Sequence, residues 1–183
     1  MSGKALVLDA NILIRAVLGK RVRELIVENA STVKFFAPDM AYADARKYLP
    51  ALLENRGVAS VEAMQVLRRL ESIVQVIDHD LYVGMRNQAL QRIAIRDADD
   101  WPVLACALAI DCPVSTEDAD FFGTGVATWT TDSVAVYFAD LVARKAPAAA
   151  CGEVLREGTR NRIHCFKVGE TLPMPLLVTQ RIS

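Results

Sequence analysis

Four aspartates carry the chemistry that this sequence could perform. Asp9 interrupts the apolar run VLDANILI at residues 7–14, and Asp118 follows a second short apolar run. Asp100 opens a helical stretch, and Asp44 lies inside another predicted helix. A carboxylate at the end of a buried strand costs free energy unless a partner compensates for its charge. The position of Asp9 therefore predicts such a partner.

The predicted elements bring three of these acids to one edge of a sheet. In an open parallel sheet the ligand crevice lies outside the carboxyl ends of the strands. Asp9 and Asp118 would meet there if their strands are neighbours, and helix starts, including the one at Asp100, lie on the same edge. Carboxylates this close are tolerated at neutral pH only with a compensating charge. Mg²⁺ or Mn²⁺ suits carboxylate and water oxygens and would activate a water towards a phosphate, so the pattern predicts metal-assisted phosphodiester hydrolysis.

Each acid also has a purely structural explanation. Asp9 could cap the helix that follows it, and Asp100 could be an acid favoured by the dipole at a helix start. Asp118 could be a turn residue, and Asp44 could belong to a solvated helix face. Spacing alone does not exclude these explanations.

The elements that must position the acids alternate along the chain. Apolar runs typical of strands occupy residues 5–8, 33–37, 73–77, 113–115 and 126–129. Apolar periodicity predicts helices over residues 11–18, 22–29, 39–56, 60–70, 81–95, 98–110 and 133–143. Asp39 is the predicted N-cap of the third helix, and Pro50 is expected to kink or break it. This alternation favours an α/β fold with a parallel sheet.

Composition and charge indicate one globular domain with an extension. Of the 183 residues, 52% are hydrophobic and 23% are charged, which is typical of a folded domain. Residues 1–143 hold 14 basic and 19 acidic side chains, whereas residues 144–183 hold seven basic and three acidic ones. We expect a domain over 1–143 and a basic extension over 144–183. A polyanionic partner and ordinary charge scatter explain that basic charge equally well.

The same sequence features predict a cytoplasmic protein. No apolar run approaches the length that crosses a bilayer, and the N-terminus lacks the pattern of a secretory signal. The four cysteines match neither a zinc site nor a disulfide scaffold, so we expect reduced thiols and no association with a membrane.

Three stretches of the chain resemble the PIN-domain nucleases. They are VLDANILI (7–14), FFAPDMAYADARKYL (35–49) and RDADDWPVLACALAIDCPVSTEDADFFGTGVATWTT (96–131). The third is the most specific, since an Arg-Asp-x-x-Asp-Trp-Pro block precedes a Thr-x-Asp-x-Asp-Phe-x-Gly-x-Gly block. The likeness covers about residues 4–142. It implies a three-layer α/β/α sandwich with a central parallel sheet, and a site in which acids bind Mg²⁺ or Mn²⁺ for the cleavage of RNA.

The resemblance implies a role for each matching residue. It identifies four catalytic acids: Asp9, Asp44, Asp100 and Asp118. Of these acids, Asp9, Asp100 and Asp118 are implied to be metal ligands. It also identifies supporting residues: Asn11, Asp97, Thr116 and Asp120. The chain departs from the family at Asp44, where a glutamate is usual. Aspartate is one methylene shorter, so a direct contact with the metal could become water-mediated.

The expected function is that of a metal-dependent ribonuclease. Many bacterial single-domain members of the family are VapC-like toxins of toxin–antitoxin pairs, which tend to dimerise and are blocked by a small partner. The resemblance thus implies an RNA substrate, an antitoxin and a homodimer. One alternative is a degenerate, non-catalytic PIN domain used for binding or assembly. Another is an aspartyl-phosphate phosphotransferase, which would need a second aspartate where the chain has Asn11.

Other residues allow more than one interpretation. Gly123 and Gly125 lack the strand–turn–helix context of a dinucleotide fingerprint and indicate a turn. Trp101 and Trp129 could stack on bases, although packing is the commoner role. Four basic residues could contact RNA phosphates or form a solvated helix face: Arg15, Lys20, Arg21 and Arg23.

Overall fold

The computed structural model of the protein describes residues 4–56 and 60–145. Within them lies a five-stranded, entirely parallel sheet with the strand order β3-β2-β1-β4-β5. The strands are β1 (Lys4–Leu8), β2 (Val33–Pro38), β3 (Val74–Ile77), β4 (Val114–Ser115) and β5 (Thr128–Trp129). All five strands lie where the apolar runs predict them.

Helices connect the strands. They are α1 (Ala10–Leu18), α2 (Lys20–Asn29), α3 (Asp39–Glu54), α4 (Ser60–Leu70), α5 (His79–Tyr82), α6 (Arg86–Ile93), α7 (Trp101–Ile110) and α8 (Val134–Lys145). Short 3-10 turns cover Val83–Met85 and Ala119–Phe121. None of the helices in the described part of the chain is both long and apolar enough to span a membrane.

The central strand β1 places its side chains alternately in two hydrophobic cores. Leu6 and Leu8 pack in the first core with residues of α1, α2, α3, α4 and α8. Val7 packs in the second core with residues of α6 and α7. Successive side chains of a strand point to opposite faces, so helices cover both faces of the sheet. This arrangement confirms the predicted α/β/α sandwich.

The strand order reverses between β1 and β4. From β1 the chain runs outward through β2 to β3, and it then returns to the other side of β1 to form β4. The Asp9 amide donates to the carbonyl of Ser115 at 3.1 Å, so the pairing continues to the carboxyl ends of both strands. In open α/β sheets, such a switch point is where the connecting loops leave a crevice. The loops after β1 and β4 border it.

Two local predictions are wrong. The predicted helix 81–95 is instead α5, a 3-10 turn and α6. Gly84 lies in the break, and glycine is a poor helix former. Asp39 is the first residue of α3, with Pro38 as its N-cap. The Asp39 carboxylate accepts hydrogen bonds from the Met40 amide, the His79 amide and the Tyr82 hydroxyl, so it joins α3 to α5.

The other local predictions have different outcomes. Pro50 does not break α3, which continues through it to Glu54. Pro50 is exposed, so water can hydrate the carbonyl that its missing N–H leaves free. Trp101 packs against Tyr82, and Trp129 against Tyr137. Helix α8 runs to Lys145, and the rest of the predicted basic extension lies outside the described residues.

Candidate active site

Asp9 is buried at the carboxyl end of β1, with 7% of its surface exposed. It is the N-cap of α1, as the structural explanation predicts, and its Oδ1 accepts a hydrogen bond from the Ala10 amide. Its Oδ2 accepts hydrogen bonds from the Asn11 side-chain amide and the Thr116 hydroxyl, each at 2.6 Å. The Leu13 amide bonds to the Asp9 main-chain carbonyl. One side-chain oxygen of Asp9 therefore caps α1, and the other joins the end of β1 to Thr116, which follows β4.

The Thr116 hydroxyl connects three segments of the site. It is fully buried and donates to Asp9. It accepts hydrogen bonds from the Asn11 side-chain amide and from the Asp118 main-chain amide, each at 3.0 Å. A hydroxyl offers one donor and two acceptor positions, so all three are used. The Asn11 Oδ1 in turn accepts from the Glu117 amide at 3.3 Å, which ties the start of α1 to the loop after β4.

Asp118 begins the next turn of the chain. Its Oδ1 accepts a hydrogen bond from the Asp120 amide at 2.9 Å and so caps the 3-10 turn Ala119–Phe121. Phe121, at the end of this turn, is buried in the second core. The turn explanation for Asp118 is thus correct. It does not compete with a site role, because the same turn holds Asp118 beside Thr116.

Asp100 approaches from the helical layer. Helix α7 begins at Trp101, and Pro102 in its first turn favours the start of a helix there. Asp100 occupies the N-cap position, but its side chain caps no amide. Its Oδ2 is buried and has no hydrogen-bond partner. A buried carboxylate oxygen without a partner is costly, so this atom is well placed to contact a bound ligand.

The pKa values reflect how closely the carboxylates approach one another. Burial and then the charges of Asp9, Asp97, Asp118 and Asp120 raise the pKa of Asp100 from 3.8 to about 7. Burial also raises the pKa of Asp9, and Asp118 adds to this rise, while hydrogen bonds from Thr116 and Ala10 oppose it. These five carboxylates, Asp9, Asp97, Asp100, Asp118 and Asp120, are called the acidic cluster below.

The side chain of Asp44, the predicted second acid, makes no hydrogen bond or ion pair with the acidic cluster. Asp44 lies on α3 and is half-buried. Its side chain takes part in none of the hydrogen bonds or ion pairs found among residues 4–56 and 60–145. It is also not among the charges that raise the pKa of Asp9 or Asp100. Asp97, by contrast, is near Asp100, and its Oδ1 accepts a hydrogen bond from the Asp99 amide at 2.8 Å.

The acidic cluster fits a hydrated divalent cation. No ion pair within the described residues involves any of its five carboxylates. No three His, Cys, Asp or Glu side chains of those residues converge tightly enough to enclose an ion. Mg²⁺ usually keeps several waters and uses one or two carboxylates, so it does not need a tight protein cage. The partnerless Oδ2 of Asp100 would supply one such contact.

Glu117 belongs to the site's surroundings, although the sequence analysis did not single it out. Its Oε1 accepts hydrogen bonds from the Thr131 amide at 2.8 Å and from the Thr131 hydroxyl. It also lies 3.4 Å from the Arg15 guanidinium. These contacts join the loop after β4 to the segment before α8 and to α1. In the sequence, Glu117 is only an acidic residue between Thr116 and Asp118. Its partners, Thr131 and Arg15, lie elsewhere along the chain.

Comparisons with known proteins agree with this architecture. A sequence model of the PIN domain matches residues 7–139. The structure is similar to that of PAE2754 from Pyrobaculum aerophilum, with a TM-score of 0.59 and 14% identity over 75% of this chain and 90% of that one. It is also similar to VapBC2 from Rickettsia felis, solved bound to a DNA fragment from their promoter, with a TM-score of 0.51 and 14% identity over 69% and 98%.

A third similar structure is FitAcB from Neisseria gonorrhoeae, with a TM-score of 0.50 and 19% identity over 69% of this chain and 97% of that one. At these identities the likeness concerns the fold alone. No curated protein matches the sequence significantly. The sequence match covers most of the described residues and includes the end of β1, the whole of β4 and all five residues of the acidic cluster. The chain belongs to the PIN domain family.

Proposed function

We propose that this PIN domain is a metal-dependent ribonuclease. Asp9, Asp100 and Asp118 would hold Mg²⁺ or Mn²⁺, with Asp97 and Asp120 as outer acids. The observation that carries this proposal is the buried Asp100 Oδ2, which has no hydrogen-bond partner and lies among four other carboxylates. When bound, the cation would lower the pKa of a water and offset the negative charge of the phosphate.

The chain's own groups prepare the site for that chemistry in different ways. Hydrogen bonds from Ala10, Asn11 and Thr116 favour the ionised form of Asp9 despite its burial. Asp100 has a pKa of about 7, so it is ready to lose its proton at neutral pH once a positive charge is near. Asp118 is oriented by its own turn. A fixed geometry of this kind lets the protein orient a phosphodiester without reorganising at the moment of reaction.

A basic pocket next to the acidic cluster supports an RNA substrate. Arg15, Arg21 and Arg56 line a surface cavity of about 340 Å³ together with Thr131. Arg15 also contacts Glu117, which is the neighbour of Asp118. We therefore assign the RNA backbone to this side of the site, since arginine side chains bind phosphates and position the strand without reading its sequence.

All four basic residues of this region have partners. Arg15 lies 3.4 Å from Glu117 and Arg21 lies 2.8 Å from Asp132. Lys20 lies 3.3 Å from Glu24, and Arg23 donates to the carbonyl of Ala16 at 3.3 Å. The four differ in their position, because Arg15 and Arg21 line the cavity and Lys20 and Arg23 do not. We expect Arg15 and Arg21, but not Lys20 and Arg23, to contribute to RNA affinity.

The proposal extends to a toxin–antitoxin role. The resemblance to VapC-like toxins implies an antitoxin protein that covers the acidic cluster, a homodimer and a cytoplasmic location. One of the similar structures, VapBC2, was solved bound to a DNA fragment, and a complex of that kind fits the role. The test is whether a neighbouring gene encodes a small protein that co-purifies with the chain on co-expression; a chain that binds no such protein would contradict the role.

The second candidate is a degenerate PIN domain that binds or assembles without cleaving. Asp44 favours it, because an aspartate stands where the family usually has a glutamate and makes no contact with the acidic cluster. This candidate predicts that the purified protein binds a partner but leaves single-stranded RNA intact at millimolar Mg²⁺ or Mn²⁺.

The function is tested by Asp9→Asn, which removes one charge and keeps the shape of the side chain. We expect the rate of RNA cleavage to fall on the order of 100-fold or more, since even outer partners of metal ligands are worth about 10- to 100-fold. The matched control is Asp80→Asn, a fully exposed aspartate outside the acidic cluster. Equal cleavage by wild type and Asp9→Asn, at equal melting temperatures, would show that the assignment is wrong.

A further inference from the structure

Two arginines of the α6 region contact three carbonyls of the loop that follows Asp118. Arg96 donates from Nη1 to the carbonyl of Asp120 at 2.8 Å and to that of Phe122. Arg92, in the last turn of α6, donates from Nη1 to the carbonyl of Thr124 at 3.1 Å. The three accepting carbonyls belong to every second residue of the loop. Arg92 and Arg96 together are called the arginine clamp below.

The two glycines of this loop make room for the clamp. Gly123 has a φ of 87° and Gly125 a φ of 84°, a region that favours glycine. A Cβ atom on Gly123 would lie 3.3 Å from Nη2 of Arg96, and one on Gly125 would lie 3.1 Å from Nη1 of Arg92. Both distances are tight for a carbon. The Gly-x-Gly motif therefore does more than form a turn, because it lets two guanidinium groups reach the main chain.

The clamp connects the two segments that carry the acidic cluster. Arg96 directly precedes Asp97, and this segment leads through Asp100 into α7. The loop that Arg96 binds begins at Asp118 and contains Asp120. On its inner side this loop is fixed by Thr116 and by the buried Phe121. On its outer side, the hydrogen bonds described between this loop and residues 86–96 come from the two arginines.

We propose that Arg96, supported by Arg92, is a positioning residue of the proposed metal site. It sets the separation between the carboxylates of the Asp97–Asp100 segment and those of the Asp118–Asp120 turn. It does so through main-chain carbonyls, so both carboxylates of the turn remain available to a cation. The effect on metal binding rests on the proposed function, whereas the effect on the loop does not.

The first test measures Mn²⁺ affinity by the electron paramagnetic resonance signal of free Mn²⁺, without RNA. Arg96→Ala is expected to weaken Mn²⁺ binding about 10-fold, the lower end of the range for partners that orient metal ligands. Arg96→Lys keeps the positive charge but replaces the planar guanidinium with a compact ammonium, and its affinity is expected to fall between those of Arg96→Ala and wild type. Arg68→Ala, an exposed arginine in the last turn of α4, is the matched control and should bind as wild type does.

The second test separates positioning from a general effect on the fold. RNA cleavage by Arg96→Ala should show a lower kcat with a KM changed less than about twofold, since the variant leaves the arginines of the basic pocket in place. Gly123→Ala should resemble Arg96→Ala, because its added carbon displaces the same guanidinium. Wild-type Mn²⁺ affinity in both variants would overturn the proposal.

Hydrogen exchange tests the arginine clamp independently of the proposed function. Arg96→Ala should speed the exchange of the Asp120, Phe122 and Thr124 amides relative to wild type and to Arg68→Ala, while the amides of β1 keep their protection. If wild type neither binds Mn²⁺ nor cleaves RNA, the proposed function is wrong, and faster exchange in Arg96→Ala alone still supports the clamp. Unchanged exchange of these amides would overturn the clamp in either case.

Discussion

The two halves of the candidate site are built differently. At the sheet edge, Asp9, Asn11 and Thr116 are joined by hydrogen bonds, and the Thr116 hydroxyl uses all its donor and acceptor positions. At the start of α7, Asp100 has a buried oxygen with no partner and a pKa raised to about 7. The polar groups of the sheet half are paired with one another, whereas the helix half keeps a buried oxygen without a hydrogen-bond partner.

This difference indicates a division of roles. The sheet half fixes the relative positions of β1 and β4 and holds Asp9 ready at their carboxyl ends. In the helix half, burial and repulsion between carboxylates disfavour the ionised form of Asp100. A bound cation would offset this repulsion. Changes in the first half should therefore affect the fold and the site together. Substitutions in the helix half should weaken cation binding and raise the stability of the cation-free protein.

The largest effect is expected at the centre of the sheet half. Thr116→Val removes the hydroxyl that Asp9, Asn11 and the Asp118 amide share. The Asp118 amide then loses its partner, while Asp9 and Asn11 each lose one hydrogen bond and keep the one between them. An unpaired buried group costs about 1–3 kcal/mol, so the melting temperature should fall by several degrees and RNA cleavage on the order of 100-fold. Thr116→Ser keeps the hydroxyl and should recover most of both. If Thr116→Val behaves like Thr116→Ser, the hydroxyl does not hold the site together.

An intermediate effect is expected at Asp100, where substitution should raise the melting temperature of the metal-free protein, whereas Thr116→Val lowers it. The folded-state pKa of Asp100 is raised from 3.8 to about 7, so the protonated form is favoured on folding. Its contribution to stability is fully present below about pH 4 and is lost as the pH rises through about 7. Without metal, Asp100→Asn should therefore melt a few degrees higher than wild type at pH 8 and about equally at pH 4.

Thermal melting of both proteins from pH 4 to pH 8 in a chelating buffer checks this prediction. Asp80→Asn serves again as the control, because its carboxylate is exposed and should give the wild-type pH dependence. A wild-type protein that gains stability from pH 5 to pH 8 relative to Asp100→Asn would contradict the assigned burial of Asp100.

The smallest effect is expected at Asp44, which lies outside the contacts of both halves. Asp44→Asn should lower RNA cleavage less than about 10-fold, because loss of a water-mediated contact costs less than loss of a direct ligand. Asp44→Glu restores the usual family residue and should raise the activity or the Mn²⁺ affinity by a few-fold. A loss as large as that of Asp9→Asn would place Asp44 among the direct ligands and would remove the main support for a degenerate domain.

Much of the sheet half was predictable from the sequence. The apolar run before Asp9 predicts a buried strand, and parallel strands bring their carboxyl ends to one edge. The pairing of β1 with β4 and the hydrogen bonds of Asn11 and Thr116 then follow the predicted arrangement of the site. These features join residues far apart in the chain, but the end of each strand could be recognised from its own apolar run, and the resemblance implied roles for Asn11 and Thr116.

The outer contacts were less predictable, because no strand end or motif in the sequence links the side chains that make them. Gly123 and Gly125 predicted a turn, but nothing nearby in the sequence identified Arg92 and Arg96 as its partners. The break at Gly84 was hidden by an amphipathic pattern that continues across it. Asp39 resembled an N-cap by type and position, yet its carboxylate is used by Tyr82 on another helix.

The central claim is that the acidic cluster is a cation site, and direct titration with Mn²⁺ tests it best. Calorimetric titration of metal-free wild type at pH 7.5 should show binding of one or two ions. A cation at 100 times its Kd should then stabilise the fold by about 2.7 kcal/mol, and Asp100→Asn should bind at least about 10-fold more weakly. If wild type shows neither heat of binding nor a rise in melting temperature at millimolar Mn²⁺, five carboxylates share this edge of the sheet for another reason, and the account is wrong.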